Sequence, residues 1–101
     1  MTPHDPAYYQ TPPPLSKCSS PTLSAIFAYR AYQLDPIMQP PPTLAQVRLI
    51  ACYLYEYIHA PVFTYPADEL KRLRASAEHI VTVRHLADWL WDCRKIGLEP
   101  L

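Results

Sequence analysis

One segment, Thr43 to Ala60, most constrains how this chain can fold. Its sequence, TLAQVRLIACYLYEYIHA, carries apolar residues at helical spacing. The clearly polar positions are only Gln46, Arg48, Glu56 and His59. A helix that is apolar around most of its circumference must be covered on several sides. The segment therefore predicts the middle helix of a bundle, opened by a capping box in which Gln46 stands three residues after Thr43.

Helix signals on either side predict three further helices. Ser20 and Pro21 are typical of a helix start, the first as N-cap and the second in the first turn. Asp35-Pro36 ends this helix, because the residue before a proline avoids the helical region. The other two helices are predicted over residues 66–79 and 83–96. Gly97 after the last one indicates a C-terminal Schellman motif with Leu98 folding back.

Proline is frequent and glycine almost absent, with thirteen residues against one. Without glycine there is no phosphate-cradling loop, so nucleotide-dependent chemistry is not expected. Five of the prolines lie within residues 1–20, which predict an extended arm ahead of a helical domain at residues 21–101. The arm is either a ligand for an aromatic groove or a tail on its own domain, and we favour the tail. In the proline-rich connection after the first helix, Ile37 and Met38 are expected to cover the base of the core.

Four consecutive residues, Ile80 to Val83, include three β-branched apolar side chains and a threonine, which favour strand. They fit two structures: a short two-stranded ribbon with Val62 to Tyr65, or a turn in which Thr82 caps the last helix. We favour the turn. The predicted fold class is therefore all-α, a small four-helix domain with a proline-rich N-terminal arm and at most one short ribbon.

Composition limits the partners and the compartment. The chain is 50% hydrophobic and 18% charged, as a globular domain is, and its nine basic residues match its nine acidic ones. No net field draws it to nucleic acid or to an anionic membrane. It shows neither a secretory signal nor an apolar stretch of membrane-spanning length, and its three cysteines are odd in number. We expect a cytoplasmic protein that does not bind membranes.

No motif predicts catalysis, a cofactor or a metal. The four histidines stand outside the spacings that build metal sites. Cys52 and His59 share one side of the central helix, and a thiol beside an imidazole can form a nucleophile. A cysteine embedded in a helix is usually inert, however, because no helix N-terminus lowers its pKa. The chain is therefore not expected to be an enzyme.

One basic run predicts an alternative function, DNA binding. Lys71, Arg72 and Arg74 would contact phosphates if residues 66–79 and 83–96 formed a helix-turn-helix. Against this, we expect ion pairs of Asp68 with Arg72 and of Arg74 with Glu78, four residues apart on one helix, to neutralise much of the patch. The last helix also carries acids and tryptophans where a DNA-reading helix would be polar or basic.

Aromatic residues give the signal we favour, protein binding. On the last helix Trp89 and Ile96 on one flank and Trp91 on the other widen the apolar arc to about 220°. A terminal helix in so small a domain would not be covered that far round, so Trp89 or Trp91 is expected on an exposed patch. Two tyrosines of the central helix, Tyr53 and Tyr57, complete the predicted partner-binding set. The predicted function is a non-enzymatic module (adaptor, inhibitor or small subunit) that binds another protein or a second copy of itself; the alternative is a small helix-turn-helix DNA-binding regulator.

Overall fold

The computed structural model describes residues 17–63 and 67–101. These residues form four α-helices and no strand, which confirms the all-α, four-helix prediction. The helices are α1 (Ser20–Leu34), α2 (Leu44–Ile58), α3 (Ala67–Ala77) and α4 (Val83–Lys95). Residues 1–16, which make up most of the predicted proline-rich arm, lie outside the described residues.

The two-stranded ribbon is not shown. Val62 and Phe63 form no strand, and neither do residues 80–82, while Thr64 and Tyr65 lie outside the described residues. Thr82 instead acts as the N-cap of α4, its Oγ1 accepting a hydrogen bond from the His85 backbone N–H at 3.1 Å. Thr82 thus caps α4 from an extended backbone, the conformation that β-branched residues prefer.

The helix ends follow the local signals closely. In α2, Thr43 Oγ1 accepts from the Gln46 backbone N–H at 3.2 Å and Gln46 Oε1 accepts from the Thr43 N–H at 2.9 Å, so the capping box is complete. At α1 the predicted cap is wrong by one residue. Ser19, not Ser20, caps the helix, because its Oγ accepts from the Thr22 N–H at 3.3 Å and also lies 2.9 Å from the Thr22 hydroxyl.

The end of α4 reverses the chain through Gly97. This glycine has a φ of 87°, the left-handed region that glycine enters without steric cost. The Leu98 N–H donates to Cys93 O at 2.9 Å and the Gly97 N–H to Arg94 O at 3.0 Å, the two bonds of a Schellman motif. Leu98 is buried as a result, and residues 98–101 run back along the domain.

The core is built around α2, which packs against each of the other three helices. Its central position in the bundle is therefore confirmed. Each helix contributes a buried apolar stripe with one side chain every three or four residues. The fully buried large side chains are Ile26 and Tyr29 on α1, Val47, Ile50, Leu54 and Ile58 on α2, Leu73 on α3, and Leu86 and Cys93 on α4.

The expectation for the connection between α1 and α2 is wrong. Ile37 and Met38 are 90% and 75% exposed and do not cover the core. Asp35 ends α1 and holds a tight turn, in which its carbonyl accepts from the Gln39 N–H at 2.9 Å and its Oδ1 from the Met38 N–H at 3.2 Å. This turn directs both apolar side chains outward, and the buried ring in the connection is that of Pro42.

Candidate protein-binding surface

The two tryptophans of α4 have opposite environments. Trp89 is 3% exposed and Trp91 is 58% exposed. Residues two apart on a helix point about 200° away from each other, so one of them faces the bundle and the other faces away. The outer side of α4 therefore carries a large aromatic side chain that this domain leaves uncovered.

Trp89 is part of the core. Its Nε1–H donates to the carbonyl oxygen of Leu73 in α3 at 3.0 Å, which satisfies the only polar atom of the indole. The same carbonyl accepts from Ser76 Oγ at 3.1 Å. Of the two tryptophans named as partner-binding residues, Trp89 thus joins α3 to α4 and has almost no surface to offer a partner.

Trp91 borders a groove of about 370 Å³. We call it the Trp91 groove; its walls are Gln33 at the end of α1, Ala87, Leu90, Trp91 and Arg94 on α4, and residues 98–101. Leu90 and Leu101 are half-buried and pack against the core. The floor is therefore fixed by the fold, while the Trp91 ring stands free at the edge.

Charged side chains form the rim of this groove. Arg94 Nε lies 3.8 Å from Glu99 Oε1, with both side chains about 70% exposed. Lys95 Nζ lies 5.9 Å from the centroid of the Trp91 ring and 3.7 Å from Asp92 Oδ1. Ion pairs this exposed contribute little to stability, so they can exchange partners at low cost. Aromatic residues and arginine are enriched in protein interfaces, and this side of α4 carries both, in Trp91 and Arg94.

The other predicted partner-binding residues do not line the Trp91 groove. Ile96 is the C-cap of α4 and is half-buried against the core. Tyr53 is 7% exposed, and Tyr57 is half-buried with its ring centroid 5.0 Å from that of Phe63 and 6.4 Å from that of Tyr53. The structure places these two tyrosines on α2, and it does not bring them together with Trp91.

Two parts of the exposed apolar surface were not predicted from the sequence. One is the contribution of residues 98–101 to the Trp91 groove, for which the turn at Gly97 was the available signal. The other surrounds the α1–α2 connection and carries four exposed apolar side chains: Leu34, Ile37, Met38 and Leu44. Leu34 and Leu44 have the helical spacing that is typical of core positions, yet both are exposed.

The basic run of α3 is tied to the rest of the domain in a way that the sequence did not predict. Arg72 Nη1 lies 3.3 Å from Asp92 Oδ2 on α4. Arg74 Nε donates to the carbonyl oxygen of Ile58 at 2.9 Å, where the C-terminal end of α2 attracts a cation. The expected pairs with Asp68 and Glu78 are replaced by these contacts between helices. Lys71 and Arg72 are exposed, and Arg74 is half-buried.

The three cysteines are all thiols. Cys93 is fully buried, and this burial raises its pKa to about 12. Burial also raises the pKa of the Cys18 thiol, with a smaller contribution from the Glu56 carboxylate. Cys52 is exposed. The His59 ring stacks on Tyr55 with centroids 4.1 Å apart, and its Nδ1 lies 2.8 Å from the Tyr55 carbonyl oxygen.

Within residues 17–63 and 67–101, no group of three or more His, Cys, Asp or Glu side chains is placed to hold a metal ion. Among the described helices, none has the length and hydropathy needed to cross a membrane.

Comparison with known proteins assigns no function. No family model matches the sequence, and no curated protein and no solved structure is significantly similar to it.

Proposed function

We propose that this chain is a non-enzymatic protein-binding module whose Trp91 groove receives a segment of a partner. The observation that carries this proposal is the exposure of Trp91, at 58%, beside a groove of about 370 Å³ in which Leu90 and Leu101 pack against the core. Exposed tryptophans next to a pocket are typical of interface hot spots. The partner is another protein or a second copy of the chain. We also propose that the protein acts in the cytoplasm.

The area at Trp91 is large enough to matter for binding. If a tryptophan side chain can bury up to about 250 Å², the exposed fraction leaves about 140 Å² for a partner to cover. At about 25 cal/mol per Å² this is worth at most about 3.5 kcal/mol. Losses of 2 kcal/mol or more on truncation define a hot spot, so Trp91 exposes enough area to reach that criterion on its own.

The test compares two exposed aromatic residues. Phe27 on α1 is 57% exposed, nearly the same as Trp91, and therefore serves as the matched control. Wild type, Trp91→Ala and Phe27→Ala are immobilised and exposed to an extract, and the retained proteins are quantified by mass spectrometry. We expect a protein that wild type and Phe27→Ala retain and Trp91→Ala loses, with its purified form binding about 30-fold more weakly to Trp91→Ala in calorimetry.

Self-association is measured separately. Sedimentation velocity of the purified chain over a range of concentrations shows whether the partner is a second copy, in which case Trp91→Ala and not Phe27→Ala lowers the mass. Circular dichroism must show that both variants keep the wild-type helical signal. The proposal fails if the chain is a monomer in all three forms and the same proteins are retained equally by all three.

DNA binding has weaker support than protein binding. Two of the three candidate residues, Arg72 and Arg74, direct their guanidinium groups at Asp92 and at the Ile58 carbonyl. A phosphate would have to displace these contacts. Lys71 is the third candidate and is exposed, and one phosphate contact gives little affinity at physiological salt. The helix-turn-helix regulator therefore stays the alternative.

A further inference from the structure

A second groove, of about 230 Å³, lies where the chain enters α1 and holds two cysteines. We call it the cysteine groove; Cys18 and Thr22 form one wall, and Leu49, Cys52, Tyr53 and Glu56 of α2 form the other. Cys18 precedes α1 and packs against the core, whereas Cys52 is exposed on α2. Two cysteines from separate elements thus line one groove.

The pKa shifts in this groove agree with this placement. Burial and, to a smaller extent, the Glu56 carboxylate raise the pKa of the Cys18 thiol, and burial and then Cys18 raise the pKa of the Tyr53 hydroxyl. Tyr53 follows Cys52 directly and Glu56 lies one helical turn beyond it. Cys18 therefore lies against the same turn of α2 that carries Cys52.

We propose that Cys18 and Cys52 are a modification site, at which hydrogen peroxide oxidises the two thiols to a reversible disulfide. Cys52 reacts first because it is exposed. Its thiolate attacks the O–O bond, forms a sulfenic acid and releases hydroxide, which takes up the thiol proton and leaves as water. The Cys18 sulfur then attacks the Cys52 sulfur: the S–S bond forms, the S–O bond breaks, and a second water leaves with the Cys18 proton. The two thiols lose two electrons, and the peroxide gains them.

The third cysteine is a control supplied by the fold. Cys93 is fully buried and keeps its proton at neutral pH, because burial raises its pKa to about 12. A neutral buried thiol is a poor nucleophile and is inaccessible to peroxide. The same peroxide treatment should therefore oxidise the Cys18–Cys52 pair and spare Cys93.

Closing this disulfide would enclose α1 and the α1–α2 connection in one loop. A cross-link over a loop of this length removes conformational freedom from the unfolded chain. For a domain of this size the oxidised form should melt about 10 °C above the reduced form. A reducing agent should return the melting temperature to its starting value.

The experiment treats the purified full chain with a small excess of hydrogen peroxide and follows three readouts. Intact mass should fall by about 2 Da with the chain still monomeric, as expected for one internal disulfide. A peptide map under non-reducing conditions should contain the linked Cys18 and Cys52 peptides and an unmodified Cys93. Dithiothreitol should reverse the change. Cys18→Ser and Cys52→Ser should each abolish it, and Cys93→Ala should leave it intact.

Three results would overturn the proposal. The first is a cross-linked dimer formed through Cys52 with Cys18 still reduced. The second is stepwise oxygen addition at Cys52 without a disulfide. The third is a disulfide that includes Cys93. Each can be read from the wild-type peptide map, so the outcome does not depend on whether any variant folds.

Discussion

Replacing each tryptophan of α4 by phenylalanine tests the assignment of one to the core and the other to the surface. The two substitutions are chemically identical and lie two residues apart on one helix. They differ in environment, since Trp89 is 3% exposed and Trp91 is 58% exposed. Any general effect of the change on helix formation is therefore the same in both variants, and the difference between them measures the tertiary environment.

The expected loss at Trp89 has two parts. Trp89→Phe removes the hydrogen bond to Leu73 O, worth about 1 kcal/mol net. The carbonyl is not left unsatisfied, because Ser76 Oγ still donates to it at 3.1 Å, so no further desolvation cost is added. The lost ring volume, about 40 Å³ at about 24 cal/mol per Å³, contributes about 1 kcal/mol. Trp89→Phe should therefore destabilise by about 2 kcal/mol, and Trp91→Phe by at most about 0.5 kcal/mol.

Urea denaturation followed by far-UV circular dichroism measures both losses without relying on tryptophan fluorescence. The slope of unfolding free energy against urea should be unchanged, so that the midpoint alone reports stability. In thermal unfolding, Trp89→Phe should lower the melting temperature by about 8–16 °C. Equal losses in the two variants, or a loss at Trp89 below about 0.5 kcal/mol, would refute the assignment of Trp89 to the core and Trp91 to the surface.

Three further predictions concern a thiol, a helix cap and the basic run. Because burial raises the folded pKa of Cys93 to about 12 from an ordinary 9.0, the unfolded chain releases this proton first. The unfolding free energy should then fall above pH 9 by up to about 1.4 kcal/mol per pH unit. Cys93→Ala should reduce the slope of unfolding free energy against pH between pH 9 and 10. An unchanged slope would contradict the burial of this thiol. Thr43→Ala should lower the free energy of unfolding, measured by urea denaturation, by about 1 kcal/mol because it removes the cap of α2, and Thr43→Ser should lower it much less. Equal losses in the two variants would mean that the hydroxyl does not cap the helix. In a mobility-shift assay, binding of duplex DNA should be weak and should be lost at physiological salt. Tight binding that persists at physiological salt and is lost in Lys71→Ala/Arg74→Ala would favour the DNA-binding regulator.

The helices could be predicted from the sequence because their signals are local. A capping box depends on Thr43 and Gln46 alone, and a Schellman motif on the few residues around Gly97. Such signals involve no contact with the rest of the fold. The error at α1 is of the same local kind: Ser19 and Ser20 are both good caps, and the second contact of Ser19 with the Thr22 hydroxyl accompanies the observed choice.

The binding surface could be predicted only in part. Periodicity placed Trp89 and Trp91 on opposite flanks of the same apolar arc, and it could not say which flank faces α3. That depends on a contact across 16 residues, from Trp89 Nε1 to the Leu73 carbonyl. Likewise, Ile37 and Met38 are exposed because Asp35 closes a turn around them, and no periodic pattern encodes the direction of a turn.

The distance between the two grooves makes the two proposals independent of each other. Cys18 lies two residues before α1, and Gln33, which lines the Trp91 groove, lies one residue before its end. These two residues are 15 positions apart in the sequence, which corresponds to about 22 Å along a helix. A disulfide at one end should therefore leave Trp91 and its rim unchanged, so oxidised and reduced chains should bind a Trp91-dependent partner equally. If oxidation abolished that binding while circular dichroism stayed constant, α1 would have to transmit a rearrangement along its whole length.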